Sequence, residues 1–335
     1  MRSTEIIDAP GGGGLRAYLQ IARFDHWFKN VFMLLGVVLA VFYEPELLSW
    51  RSVPVLALAF LATCLIASSN YVLNELLDGP QDKAHPTKRH RPVPSGLINP
   101  TFAYVEWLLF FAAGMAVALA INPYFAATAL WLWVMGVLYN VRPFRTKEWP
   151  YLDVLSESVN NPIRLLLGWF ALITTLYPPV SLILAYWMIG AFFMAMKRYA
   201  EYRHIGDPVA AGIYRRSFRY YTEDRLLISI LFYATACAFF AGIFVVRYHL
   251  ELILIAPFVA GLFAYYLKLG LKPDSPTQNP EKLYRETSFM GYLVLCVALF
   301  VGLMFTRVPA LYDAFNVQPS GTVPLWTIGT ESGPR

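Results

Sequence analysis

Apolar runs of about the length that crosses a bilayer as a helix recur along this chain, and no other feature limits its fold so strongly. Nine are present, over 27–43, 53–73, 102–121, 123–139, 159–176, 180–196, 226–246, 250–267 and 289–305. The composition agrees: 57% of the 335 residues are hydrophobic, only 15% are charged, and the mean hydropathy is +0.48. Soluble domains are much less apolar. The chain is therefore predicted to be an all-α integral membrane protein of nine transmembrane helices.

Nine spans put successive loops on alternating sides, and lysine and arginine should collect on the cytoplasmic one. They do so in the amino-terminal segment and in the loops after the second, fourth, sixth and eighth runs. Of the 27 basic residues, only Arg51, Arg247, Arg307 and Arg335 fall on the other side, with Arg164 near the start of the fifth run. The amino terminus is thus expected in the cytoplasm and the carboxy terminus outside. The external loops are tight turns such as Asn122-Pro123, whereas the long polar loops are cytoplasmic, so chemistry is expected there. Residues 1–20, with the glycines Gly11 to Gly14, read as a flexible cytoplasmic tail that lacks the pattern of a signal peptide. Residues 21–306 form the membrane domain, and 307–335 an external extension. Cys64, Cys237 and Cys296 lie within apolar runs and read as packing residues.

The second run ends in Asn74-Glu75-Leu76-Leu77-Asp78-Gly79-Pro80-Gln81-Asp82, in which Asn74, Asp78 and Asp82 recur every fourth residue. On a helix that spacing makes one face. Carboxylates grouped at a membrane helix end repel one another unless a cation collects them, and magnesium holding a diphosphate suits the geometry. A second pair, Asp153 and Glu157, again four apart, stands where the loop after the fourth run enters the fifth. Such a pair can either cap a helix or ligate a metal. Two clusters at equivalent helix ends can flank one cavity and neutralise charge growing on a leaving group.

Basic residues accompany both clusters. His85-Pro86-Thr87-Lys88-Arg89-His90-Arg91-Pro92 follows the first, and Lys197-Arg198-Tyr199-Ala200-Glu201 closes the sixth run. Cytoplasmic loops carry such residues for topology alone, and most of those after the sixth run need no other explanation. Arginine and lysine suit phosphate oxygens, so Lys88, Arg89 and Arg91 are candidates, and Lys197 and Arg198, continuous with an apolar helix and so near the membrane boundary, are better ones. Arg164, two turns beyond Glu157 in an apolar run, calls for a buried carboxylate or phosphate partner. The five histidines have no zinc spacing, no nucleotide-binding glycine loop is present, and no nucleic-acid partner is expected. A transporter would carry ionisable groups at mid-span, whereas here they gather at span ends.

With these motifs in hand, the chain resembles, over nearly its whole length, the UbiA superfamily of intramembrane prenyltransferases. Asn74, Asp78 and Asp82 match that family's first motif, and Asp153 with Glu157 its second, a glutamate replacing the last aspartate. The resemblance implies a helical bundle around a central, cytoplasm-facing cavity in which the two motifs bind a donor diphosphate through Mg2+. It also implies multi-pass insertion in a bacterial inner membrane, among membrane lipids. Arg23 to Asn30 (including Lys29), His85-Pro86-Thr87-Lys88-Arg89 with Arg91-Pro92 and Gly96, and Lys197-Arg198 with Glu201 are closest to the decaprenyl-phosphate phosphoribosyltransferase branch. Members of that branch pass a phosphoribosyl group from a phosphorylated small-molecule donor to a polyprenyl phosphate lipid. The alternative within the superfamily is an aromatic prenyltransferase. The implied metal ligands are Asn74, Glu75, Asp78, Asp82, Asp153 and Glu157, of which Asp78, Asp82 and Asp153 are catalytic. Lys29, Lys88, Arg89, Arg91, Arg164, Lys197 and Arg198 would bind substrate phosphates. Pro80 between the motif aspartates is expected to kink the helix ahead of Asp82.

Overall fold

The computed structural model describes residues 14–83, 88–278 and 280–317, together with 325 and 328. Residues 1–13, His85-Pro86-Thr87 and most of the chain beyond 317 lie outside the described residues. What is described folds into helices and connecting loops. In chain order the α-helices are α1 (Leu15–Ile21), α2 (Leu34–Tyr43), α3 (Ser52–Asp82), α4 (Pro100–Ile121), α5 (Pro123–Asn140), α6 (Leu152–Ser158) and α7 (Asn160–Phe170). They continue as α8 (Val180–Ile205), α9 (Pro208–Tyr214), α10 (Glu223–Tyr248), α11 (Ala256–Gly270), α12 (Thr287–Met304) and α13 (Pro309–Ala314).

The helix boundaries follow local chemistry. Asn99, Asn122 and Asp207 each precede a proline at the first helical position, and their side chains accept the orphan backbone N–H groups of Thr101, Phe125, and Val209 with Ala210. Thr222 caps α10 in the same way and is followed by Glu223 and Asp224, which suit the positive end of the helix dipole. Gly206, in the left-handed conformation at φ 70°, ends α8.

Seven helical stretches among the described residues are long and apolar enough to cross a membrane: Leu15–Tyr43, Ser52–Asp82, Pro100–Ile121, Val180–Ile205, Glu223–Tyr248, Leu250–Gly270 and Thr287–Met304. Large apolar side chains on them face outward, Phe102 and Leu109 on α4 and Leu231 and Phe239 on α10 among them. Such surface fits lipid rather than water, and the protein is a multi-pass integral membrane protein. The fourth and fifth predicted spans fall short of this standard. The fourth is helical as α5 but carries polar and amphipathic groups and ends on Asn140. The fifth is short: α6 stops at Ser158, ahead of the predicted run, and α7 covers only Asn160–Phe170 of it, ending well before residue 176. Proline and adjacent amides cannot carry one uninterrupted helix through that stretch.

The chain divides into two compact units. The first comprises Met1–Val41, Glu46–Thr146 and Ile163–Leu172. In it α3 packs along α4 and α5, and α1 docks through Ala17 and Ile21 on Val72 and Leu76 of α3. Helical order thus begins ahead of residue 20. The residues between α1 and α2 form a 3-10 helix, Phe24–Met33, pinned to α3 by Trp27 Nε1 donating to Ser68 Oγ at 2.9 Å. Gly36 lies directly on the backbone of Leu165, and Gly168 on that of Met33, so two glycines let α2 and α7 touch backbone to backbone. The second unit comprises Phe42–Pro45, Lys147–Pro162 and Ile173–Arg335. There α8 packs along α10, with α6 beside α8, around a core that includes Phe192, Met196, Tyr199, Tyr233 and Tyr266.

Candidate active site

In the first unit the polar groups gather at the carboxy-terminal end of α3. The helix runs through Pro80 to Asp82, and Gly79, whose missing Cβ leaves room for Val93 alongside, brings the following loop close. Asn74 Nδ2 donates to Asn140 Oδ1 at 2.6 Å, and Asn140 Nδ2 in turn donates to the Gly136 carbonyl at 2.9 Å. One turn further on, Arg145 Nη2 donates to Asp78 Oδ1 at 3.0 Å and to Gln81 Oε1 at 3.4 Å. Arg145 is buried and has a positive φ of 31°. Asp82, also buried, receives Arg91 Nη1 at 3.1 Å, with Lys88 Nζ at 3.9 Å from its other oxygen. Glu75 turns to a different side of α3, where its carboxylate accepts the Val93 N–H at 3.3 Å. Each motif aspartate therefore has its own cation. Asp78 keeps 18% of its side chain exposed and Asp82 7%, and their oxygens are of the hard type magnesium prefers.

Other basic candidates in this unit are differently engaged. Arg164 Nε donates to Asn30 Oδ1 at 2.9 Å, and Asn30, fully buried, donates to Cys64 Sγ at 3.2 Å. An amide is thus one of the partners of this guanidinium. Lys29 lies over the Phe28 ring, and Arg89, exposed, donates to His90. Arg16, Arg23 and Arg91 line a cavity of about 500 Å³ together with Asp25 and Glu75.

In the second unit the centre is Arg198, on α8 and only 1% exposed. Its Nε donates to Asp153 Oδ2 at 3.1 Å, its Nη2 to Glu157 Oε2 at 2.6 Å, and its Nη1 to Glu201 Oε2 at 3.4 Å. Lys197 beside it is half-buried. Asp153 sits in the first turn of α6, yet it does not cap the helix. It is wholly inaccessible and also accepts Ser217 Oγ at 3.1 Å and Tyr221 Oη at 2.7 Å. Tyr221 Oη accepts the N–H of Tyr151, the residue at φ 64° that starts α6, at 2.6 Å. Burial first, and then the neighbouring Asp153 carboxylate, push the Tyr221 hydroxyl well above its ordinary pKa, so it remains a donor. Glu157 keeps 32% of its side chain exposed and Glu201 11%. Among the described residues, no three histidine, cysteine or acidic groups converge as a ready metal site.

Sequence reasoning passed over Asn140, Arg145, Ser217 and Tyr221. Only Asn140, an amide closing an apolar helix, gave a readable signal; the other three sit in loops whose basic residues topology already explains.

A family model described as the UbiA prenyltransferase family matches residues 30–293. A decaprenyl-phosphate phosphoribosyltransferase from Mycolicibacterium smegmatis is 31% identical over 222 residues, 65% of this chain and 66% of that protein. One of the same name from Mycobacterium tuberculosis is 29% identical over 247 residues, 72% of this chain and 78% of its own length. Among solved structures, a UbiA homolog from Archaeoglobus fulgidus bound to DMAPP and Mg2+ superposes with a TM-score of 0.63 at 20% identity, covering 87% of this chain and all of that one. That likeness concerns the fold.

Proposed function

The chain belongs to the UbiA prenyltransferase family, and from that premise we propose that it transfers a 5-phosphoribosyl group from phosphoribosyl diphosphate to a polyprenyl phosphate. The observation that carries this reading is the packing of Lys88, Arg91 and Arg145 against the two aspartates of the first motif. A donor with a diphosphate and a sugar phosphate, meeting a lipid phosphate, needs many cations as well as a metal. The relatives named decaprenyl-phosphate phosphoribosyltransferase support the same reading.

Asp78 and Asp82 at the end of α3, with the side-chain oxygen of Asn74, would hold magnesium, and Glu157 is the member of the second motif with an open face. When bound, the ion supplies charge neutralisation on the leaving diphosphate. Arg145 orients Asp78, and Arg91 orients Asp82. Lys88 and Arg89, with Lys29 and Lys197, grip phosphate oxygens of the two substrates. An oxygen of the lipid phosphate attacks the anomeric carbon, the bond from that carbon to the diphosphate oxygen breaks, and inorganic diphosphate leaves. Positioning and electrostatic preorganisation account for the rate, since the protein forms no covalent bond in this scheme. The loops that carry the site face the cytoplasm under the same proposal.

The test offers purified protein in lipid nanodiscs two substrate pairs with magnesium: phosphoribosyl diphosphate with polyprenyl phosphate, and polyprenyl diphosphate with an aromatic acid. Turnover of the first pair, lost in Asp78→Ala, is the expected result. Turnover of the second pair alone would overturn the proposal in favour of an aromatic prenyltransferase.

A further inference from the structure

The second acidic motif resembles a metal-binding pair by its sequence, yet its first carboxylate does not fit that task. Asp153 has no accessible surface, and three side chains point donors at it: Arg198, Ser217 and Tyr221. A magnesium ligand needs a free lone pair and room for a near-octahedral shell of oxygens at about 2.1 Å. Here a planar guanidinium already lies among the carboxylates of Asp153, Glu157 and Glu201, meeting each through a different nitrogen. Arginine is the side chain suited to this, since it never deprotonates and its fork serves several acceptors in one plane.

We propose that Arg198 is the resident cation of the second motif, standing in place of a metal ion at Asp153, and that Asp153, Ser217 and Tyr221 are positioning residues that fix it. Three features agree. Arg198 is only 1% exposed, a costly state for a charge that only close pairing sustains. Tyr221 holds both ends of the arrangement, accepting from the backbone of Tyr151 and donating to Asp153. Tyr151 itself is in the left-handed region, the kind of strained conformation that persists where the surroundings over-determine it. Glu157 and Glu201, anchored on their inner sides by the guanidinium, are then the only carboxylates of the group that reach outward. The proposal takes the second motif to serve a diphosphate site, as above, but is indifferent to which group the diphosphate leaves.

Mn2+ binding tests it without any turnover. The number of ions bound per chain is counted by electron paramagnetic resonance with inorganic diphosphate present, for wild type, Asp153→Asn and Arg198→Met. The expected result is the same count for wild type and D153N, and one added ion in R198M, where three carboxylates lose their internal cation. Loss of an ion in D153N overturns the proposal, and so does a folded R198M that gains none. Should either variant fail to fold, Tyr221→Phe decides, because it keeps every carboxylate. An unchanged count is expected there, and an additional ion, bound by a carboxylate freed of its donor, contradicts the assignment. None of these readings uses the sugar donor or the lipid acceptor, so a wrong substrate assignment would leave them intact.

Discussion

Asp78 and Asp153 are each the first aspartate of their motif, near a helix end, and yet their surroundings part them. Asp78 pairs with the Arg145 guanidinium and keeps an accessible edge, whereas Asp153 accepts from Arg198, Ser217 and Tyr221 and has no accessible surface. Removing the Asp78 carboxylate with Asp78→Ala is therefore expected to lower turnover at least ~100-fold, the usual effect of deleting one group that stabilises developing charge. Tyr221→Phe should instead act on stability, costing about 1.5–3 kcal/mol because the hydrogen bond lost is to a charged, buried acceptor. A denaturation series in detergent reads that loss; no change would mean that Asp153 finds another donor. The four-residue spacing of Asn74 and Asp78 was enough to place them on one face, and both now carry polar partners from the α5 end and the loop beyond it. Arg145 could not be read, because 67 residues separate it from Asp78 and its neighbours Arg142 and Lys147 already satisfy the topology rule. Tyr221 was hidden for a simpler reason: a tyrosine between an arginine-rich loop and a helix looks like one more interfacial aromatic.

At the level of helices, glycine contacts separate what tolerates change from what does not. A Cβ at Gly36 would strike the backbone of Leu165 and Trp169, which cannot move without shifting α7, whereas at Gly79 it would meet only the end of the Val93 side chain. Gly36→Ala is accordingly expected to cost about 1–3 kcal/mol or more, as overpacking does, and Gly79→Ala to cost less. Thermal unfolding of the two variants compares them directly, and equal losses would contradict the backbone contact. Length and apolarity located most helices because both are local. The break between α6 and α7 was poorly marked, since the run from 159 to 176 stays apolar on average while Asn160, Asn161 and Pro162 interrupt it. The kink expected at Pro80 did not stop α3, whose last turns continue to Asp82 and close with the Lys83 N–H on the Gly79 carbonyl at 3.2 Å. Proline costs a helix one hydrogen bond there, but a terminal turn has few left to lose.

For the whole molecule, the distribution of basic residues expects the loop around Trp50 to lie outside and that around Arg89 to lie inside. The three cysteines are buried, so replacing them by serine or alanine provides a background for single-cysteine labelling. A membrane-impermeant maleimide applied to intact cells should label Trp50→Cys and spare Arg89→Cys, and the reverse pattern would invert the proposed topology. Family membership and the all-helical fold were accessible from motif spacing and hydropathy, because both are dictated by short-range sequence and the bilayer. The reaction is not written so plainly, since one scaffold can host several transfers on a metal-held diphosphate. The central claim is that the sugar phosphate moves and the diphosphate leaves, and a doubly labelled donor tests it most directly. Phosphoribosyl diphosphate carrying one phosphorus isotope at the 5-phosphate and another in the diphosphate is incubated with the protein, magnesium and polyprenyl phosphate, and the lipid phase is counted. The account predicts that the 5-phosphate label enters the lipid and the diphosphate label stays in water as inorganic diphosphate. Diphosphate label in the lipid, or neither label there from a protein shown to be folded, would contradict it.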